Sequence, residues 1–344
     1  MKINTIGWDI GGANLKAVLL NENSRVLTAI QLACPLWQGL YQLERAIKQV
    51  LKSFAQPEVR HAVTMTGELV DIFANRSDGV IQISKCLREQ LGPDVHLYAG
   101  SAGFVGVDDV EHYIHQVASA NWHLSASYAA NAFSEGLMID IGSTTADLIP
   151  FSASKPINQG YTDAERMRLG ELVYTGVTRT PLMALAQSIA FRGQEYGVAA
   201  EHFATTADIY RLTDELAPSS DMAATADGAE RSVEASMRRL ARMIGHDKED
   251  ATDIDWILLA RSFKESQLKQ LEIAINKVLS HAHITSTAPF VGAGSGSFLV
   301  KALAQRFNRP YIQIDSVIDA ENEEAKHWAG ICLPAYCAAY LMPK

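Results

Sequence analysis

The segment Asp9-Ile10-Gly11-Gly12-Ala13-Asn14-Leu15-Lys16 recurs in looser form as Asp140-Ile141-Gly142-Ser143-Thr144-Thr145-Ala146-Asp147. That repetition narrows the folds open to this chain more than any other feature. Each copy opens with an Asp at the end of an apolar run. It then turns on small residues and enters a second apolar run, 17–20 in one case and 148–151 in the other. The pattern reads as strand, tight turn, strand. Small residues let backbone N–H groups approach a phosphate, and the Asp suits a metal ion. Two such turns in one chain predict a phosphate gripped from both sides.

The chain has 344 residues, of which 48% are hydrophobic, enough for two or three domains with real cores. Its net charge of −9 and the lack of a basic stripe with interleaved aromatics argue against a nucleic-acid partner. Cys34, Cys86, Cys332 and Cys337 show no paired metal-ligand spacing; Cys332 and Cys337, in an apolar C-terminal run, read as buried free thiols, and the usage fits a reducing cytoplasm. The run from Met1 to Trp8 enters a strand without a signal peptide. No apolar stretch of about 18 residues follows, so a cytoplasmic protein without a membrane partner is expected.

Strands and helices alternate, which favours an α/β fold. Strands are expected at 6–10, 15–20, 61–65, 95–98, 137–141 and 311–314, with one more before Gly292. Helical spacing appears at 40–54, 109–133, 231–243, 262–281, 298–307 and 321–342. A polar insertion occupies about 160–250. Within it, Thr162 to Glu165 looks like a capping box, and Thr180-Pro181 like the start of a helix over 181–190. The expected division is a first lobe of 1–134 plus 322–344 and a second of 135–321.

A lone glycine turn between apolar runs is more often a plain hairpin. Here three turns close predicted strands, and two carry Asp at the same place. None is a P-loop, since no Gly-Lys-Ser/Thr opens a helix, and a strand rather than a helix follows the first, unlike a dinucleotide fingerprint. Asp9 and Asp140 are the expected Mg²⁺ ligands. Gly11, Gly12 and Gly142 clear space for phosphate, and Asn14, Ser143, Thr144 and Thr145 are candidate phosphate contacts. For the three hydroxyl residues, ordinary turn chemistry is the competing reading. Lys16 is placed to neutralise a phosphate oxygen, against the alternative of a solvated strand lysine. Asp147 suits a metal ligand or a base. Gly292, Gly294, Ser295 and Gly296 precede a helix and suit a nucleotide or another anion. His202 and His246 are candidates to meet a substrate. Glu171, Arg179, Asp208 and Arg211 read by default as buried ion pairs or solvated charges.

In this order of motifs the chain resembles the acetate and sugar kinase/heat-shock cognate/actin superfamily. That resemblance implies two ribonuclease-H-like lobes flanking a cleft that closes on a polyphosphate with Mg²⁺. Asp9 to Lys16, Thr64-Met65-Thr66-Gly67-Glu68-Leu69 and the run from Leu169 to Pro181 resemble the hydantoinase/oxoprolinase-like branch. With His202 to Tyr210 and Ala224 to Gly228, they are most similar to its short members linked to tetrahydromethanopterin C1 metabolism. The resemblance implies a synthase of methanofuran or methylofuran assembly. Such an enzyme joins a phenolic glutamyl-tyramine or tyrosine-type substrate to an aminomethylfuran methanol diphosphate and releases diphosphate. It implies small-molecule partners, with a homodimer allowed, and ATP is not expected to be required. Asp147 is then the first candidate for the base and His202 the second, with Arg179 and Asp208 as contacts of the organic substrate. Sugar kinases usually carry Thr where Ala13 stands, which counts against a kinase. An ATP-dependent kinase or amide hydrolase of the same superfamily, and a non-enzymatic nucleotide switch, are the alternatives.

Overall fold

The computed structural model describes residues 3–56 and 58–343. Met1, Lys2, Pro57 and Lys344 lie outside the described residues, and with them the first two residues of the expected leaderless start. The chain divides into two compact units, Met1–Met138 with Phe151–Ile157 and Ile312–Lys344, and Ile139–Pro150 with Asn158–Tyr311.

In the first unit, β1 (Asn4–Ile10), β2 (Asn14–Leu20), β3 (Val26–Ala33), β4 (Val59–Met65), β5 (Val95–Tyr98) and β6 (Phe104–Gly106) form one sheet. Its order is β3-β2-β1-β4-β5-β6. The glycine turn joins β1 to β2 as an antiparallel hairpin, with Asp9 opposite Lys16. β4 lies parallel to β1 and to β5. Ile6, Trp8 and Ile10 alternate along β1 into a core that also takes Leu43, Ile47 and Val50 from the helix Tyr41–Phe54. Gly7 is required on the other face, because a Cβ there would overlap the Ala335 carbonyl of the helix Leu333–Leu341.

Two expected helices of this unit are interrupted. The stretch 109–133 is a 3-10 turn (Val107–His112), a short helix (Ile114–Val117) and a longer one (Asn121–Ala132). Ser119 separates the last two. It adopts φ of 52° and donates its hydroxyl to the buried Glu68 at 2.7 Å. The stretch 321–342 forms the helices Glu323–Ile331 and Leu333–Leu341, split where Pro334 cannot supply an N–H to a continuous helix. All four cysteines are free and buried.

The second sheet is built from β7 (Glu135–Ile141), β8 (Ala146–Ser152), β9 (Lys155–Pro156), β10 (Leu172–Val173), β13 (Phe290–Ala293) and β14 (Tyr311–Gln313). It runs β10-β8-β7-β13-β14, with β9 beside β8. As in the first sheet, the hairpin strands lie side by side with the first of them next to the later strands, β7 beside β13 as β1 is beside β4. Both sheets are ribonuclease-H-like. A separate hairpin pairs β11 (Ser188–Phe191) with β12 (Gln194–Gly197). The capping box of Thr162 and Glu165 forms as the spacing predicts. The helix expected over 181–190 does not form. Thr180 turns its hydroxyl back to Gly176 instead of capping, and Pro181 is extended with ψ of 137°, so a 3-10 turn and β11 follow. The helix expected from 262 starts at Asp253, where Thr252 and Asp255 make a capping box. No helix among the described residues is long and apolar enough to cross a membrane.

Candidate phosphate-binding site

The first turn is closed by the Gly11 N–H donating to Asn14 O at 3.0 Å. Neighbouring chain then takes up its carbonyls. Gly12 O accepts from Leu36 N–H at 3.0 Å, Ala13 O from Cys34 N–H at 2.9 Å and Ile10 O from Thr66 N–H at 2.9 Å. A trans peptide points its C=O and N–H to opposite sides. The N–H groups of Ala13 and Asn14 therefore face away from the segments that hold the carbonyls. Thr66-Gly67 belongs to the second quoted motif. Gly67 fits because a Cβ there would come within 3.1 Å of Ile10 O. Asp9 is 6% exposed, and its Oδ2 lies 4.0 Å from Lys16 Nζ across the hairpin.

The second unit repeats the device. Gly142 N–H donates to Thr145 O at 2.9 Å. Gly142 O accepts from Val177 N–H at 3.0 Å, and Ser143 O from the N–H groups of Thr178 and Arg179 at 3.2 and 2.9 Å. Thr178 Oγ1 donates to the same oxygen at 3.3 Å. By the same geometry the N–H groups of Ser143 and Thr144 face the other way. Gly176 lies flat on this peptide, where a Cβ would overlap Ser143 and Thr144 backbone. Arg179 Nη1 reaches Thr144 Oγ1 at 3.5 Å.

The third glycine turn docks on the end of β7. Gly294 has φ of 74°, and a Cβ on it would overlap Asp140 Oδ1 and Ile141 O. Gly296 N–H donates to Ile141 O at 2.8 Å. Gly292 is packed under the Tyr311 ring, 2.8 Å from where its Cβ would stand, and Ser295 is half-buried. Close packing beside Asp140 thus accounts for these glycines, and the helix Ser297–Arg306 begins there.

Three further expectations meet a different setting. Asp147 stands in β8 with Oδ1 2.6 Å from Nη2 of Arg166, which also donates to Glu171 O at 3.2 Å. A base would have to act against that ion pair. Asp208, expected to contact the organic substrate, is 1% exposed. Its Oδ1 accepts from Arg211, Ser236 and Arg239, each at 2.8 Å, and its Oδ2 from Thr205 N–H at 3.0 Å. These donors fill its acceptor positions, so Asp208 is a structural anchor of the insertion. His202 is exposed in the loop before Thr205.

The sequence reading missed Gln267. This fully buried side chain donates through Nε2 to Thr175 Oγ1 and Gly176 O, both at 2.9 Å, and accepts from the Tyr210 hydroxyl. It pins the segment whose next residues saturate the second turn. Its only signal in the sequence is a polar residue on the apolar stripe of a helix.

Among the described residues no group of three or more His, Cys, Asp or Glu side chains forms a metal cage. One carboxylate beside each turn fits Mg²⁺, which takes few carboxylates and completes its shell with phosphate oxygens and water.

Two ribonuclease-H-like units, each with an Asp-led turn between its first two sheet-centre strands, define an actin-like ATPase fold. The nucleotide-free acetone carboxylase structure is similar at a TM-score of 0.59 and 10% identity, covering 98% of this chain and 70% of that one. The chain belongs to the hydantoinase/oxoprolinase family, whose profile matches residues 60–319. A protein of Methanocaldococcus jannaschii is 26% identical over 345 residues, 100% of this chain and 99% of the relative. It is named (4-{4-[2-(gamma-L-glutamylamino)ethyl]phenoxymethyl}furan-2-yl)methanamine synthase. A Methanococcus vannielii protein of the same name is 34% identical over 111 residues, 32% of this chain and half of that protein.

Proposed function

We propose that this protein forms the aryl ether bond of a furan cofactor, joining a phenol to an aminomethylfuran methanol diphosphate with release of diphosphate. The observation that carries the reading is the paired design of the two turns, each with its carbonyls bonded behind it and its N–H groups facing the other way. Such a turn favours an anion. The name of the full-length relative describes a phenoxymethylfuran. Its ether bond requires a phenol oxygen to attack a furan methylene carbon that carries a leaving group. The turns supply the means to hold a diphosphate in that role.

The phenol oxygen attacks the methylene carbon, a carbon–oxygen bond forms, and the bond to diphosphate breaks with its electron pair going to the leaving oxygen. The phenol proton leaves to a base. With an ordinary phenol pKa of about 10, that transfer limits the nucleophile at neutral pH. His202 stands ahead of Asp147 for this task, because Asp147 is held by Arg166. Each turn brings its own donors to offset charge on a phosphate: Lys16 with the N–H groups of Ala13 and Asn14 in the first unit, and the N–H groups of Ser143 and Thr144 in the second. Asp9 at the first turn and Asp140 at the second would hold Mg²⁺, which when bound neutralises such charge. A cytoplasmic location and independence of ATP complete the reading.

The test is incubation of the purified protein with Mg²⁺, the phenolic substrate and the furan diphosphate, without nucleotide. Ether product by mass spectrometry with one equivalent of diphosphate supports the proposal. Turnover only with ATP, leaving the furan diphosphate intact, would favour the kinase reading and end this one.

A further inference from the structure

We propose that Arg179 recognises the terminal phosphate of the diphosphate held at the second turn, and so selects diphosphate over a single phosphate. The inference rests on the reading above, that this turn holds a diphosphate, and gives Arg179 a phosphate in place of the organic substrate.

Arg179 is fixed at both ends. Its backbone N–H is bonded to Ser143 O at 2.9 Å, and its Nη1 lies 3.5 Å from Thr144 Oγ1. The guanidinium therefore stands at the rim of the turn whose Ser143 and Thr144 N–H groups face outward. The segment behind it is rigidly held: Gly176 is bonded to Thr180 Oγ1 at 2.8 Å and to Gln267 at 2.9 Å. Several arginines of this unit are ion-paired within the fold. Arg166 pairs with Asp147, Arg211 with Asp208 and Asp221, and Arg239 with Asp208 and Asp227. Arg166 and Arg239 are buried and Arg211 half-buried; Arg179 is exposed.

A single phosphate can be served by the backbone N–H groups. A second phosphate linked to it extends past the turn and needs a donor at the rim. A planar guanidinium presents two parallel N–H bonds to phosphate oxygens, which a hydroxyl or amide cannot. As the carbon–oxygen bond breaks, the leaving diphosphate gains charge, and a cation already in place stabilises it without reorganisation.

The experiment titrates Mg²⁺-pyrophosphate, and separately orthophosphate, into the wild-type protein, Arg179→Ala and Arg179→Gln by calorimetry, with unliganded thermal midpoints measured alongside. The expected result is a pyrophosphate Kd raised about tenfold or more in both variants, as for loss of a charge-assisted pair. Orthophosphate Kd should change less than about threefold, and the midpoints should stay put. Wild-type binding of pyrophosphate with no loss in the variants would overturn the inference alone. So would equal losses for the two anions, or a fall in both midpoints, which would assign Arg179 to folding. A wild-type protein that takes no pyrophosphate overturns the underlying reading as well.

Discussion

The backbone of Gly294 lies directly against the carboxylate of Asp140. A methyl group on Gly294 would overlap Asp140 Oδ1, and the residue has φ of 74°. Two penalties act together on Gly294→Ala. The left-handed backbone costs about 1–2 kcal/mol for a residue with a Cβ, and the overlap forces Asp140 or Ile141 to move. The variant should lose on the order of 2–4 kcal/mol in denaturant unfolding and bind pyrophosphate weakly. Gly197→Ala, where the methyl meets nothing within 4 Å, serves as the control. Equal stability of the two variants would remove the proposed role of this contact.

The hairpin logic of the turns was legible because it is local. An Asp at a strand end, small residues and a second apolar run specify β1, β2, β7 and β8 without knowledge of distant chain. What saturates the turn carbonyls was not legible. Cys34, Leu36 and Thr66 on one side, and Val177 to Arg179 on the other, act through backbone N–H groups, which any residue except proline offers. Asp208 misled for a related reason. An acidic residue in a polar insertion resembles a substrate contact until Arg211, Ser236 and Arg239 are brought to it from later helical turns. Thr180-Pro181 carried a sound helix-start signal that tertiary demand overrode, since the Thr180 hydroxyl is needed at Gly176.

Asp208→Asn separates an anchor from a substrate contact. The change leaves Arg239, fully buried, and Arg211 facing a neutral amide. Arg211 keeps Asp221 and Arg239 keeps Asp227, so the cost is that of weakened charge-assisted bonds in a buried network, about 1.5–3 kcal/mol. Unfolding free energy should fall by about that amount, while KM for the phenolic substrate in the remaining folded enzyme stays within about twofold. Unchanged stability with a raised KM would restore Asp208 to the substrate.

Gln267→Leu tests whether the long helix Asp253–His281 controls the second turn. The substitution is close in volume but strands Thr175 Oγ1, Gly176 O and the Tyr210 hydroxyl in a dry interior. Each unpaired group costs about 1–3 kcal/mol. The thermal midpoint should drop, and pyrophosphate binding should weaken about tenfold as the 176–179 segment loosens. If the stability loss comes with wild-type binding, Gln267 supports the unit but not the site.

Acid stability should carry the signature of His61. Its Nδ1 accepts from the Trp8 indole N–H at 3.1 Å, so the ring is neutral with the proton on Nε2. Burial lowers its pKa from 6.5 to about 4, opposed in part by the charge of Asp94. The folded state thus resists a proton that the unfolded chain accepts between these two values. Stability from this group is complete above pH 6.5, falls as pH drops toward about 4 and levels off below it. The full swing is on the order of 3 kcal/mol. His61→Asn keeps an acceptor for Trp8 but does not titrate. Urea unfolding of both proteins from pH 7.5 to pH 4 should therefore give a wild-type-minus-variant difference that declines by about that amount, with carboxylate effects cancelling. Parallel profiles would mean that His61 takes up its proton as readily in the folded protein as in the unfolded chain, and that the Trp8 bond does not depend on a neutral ring.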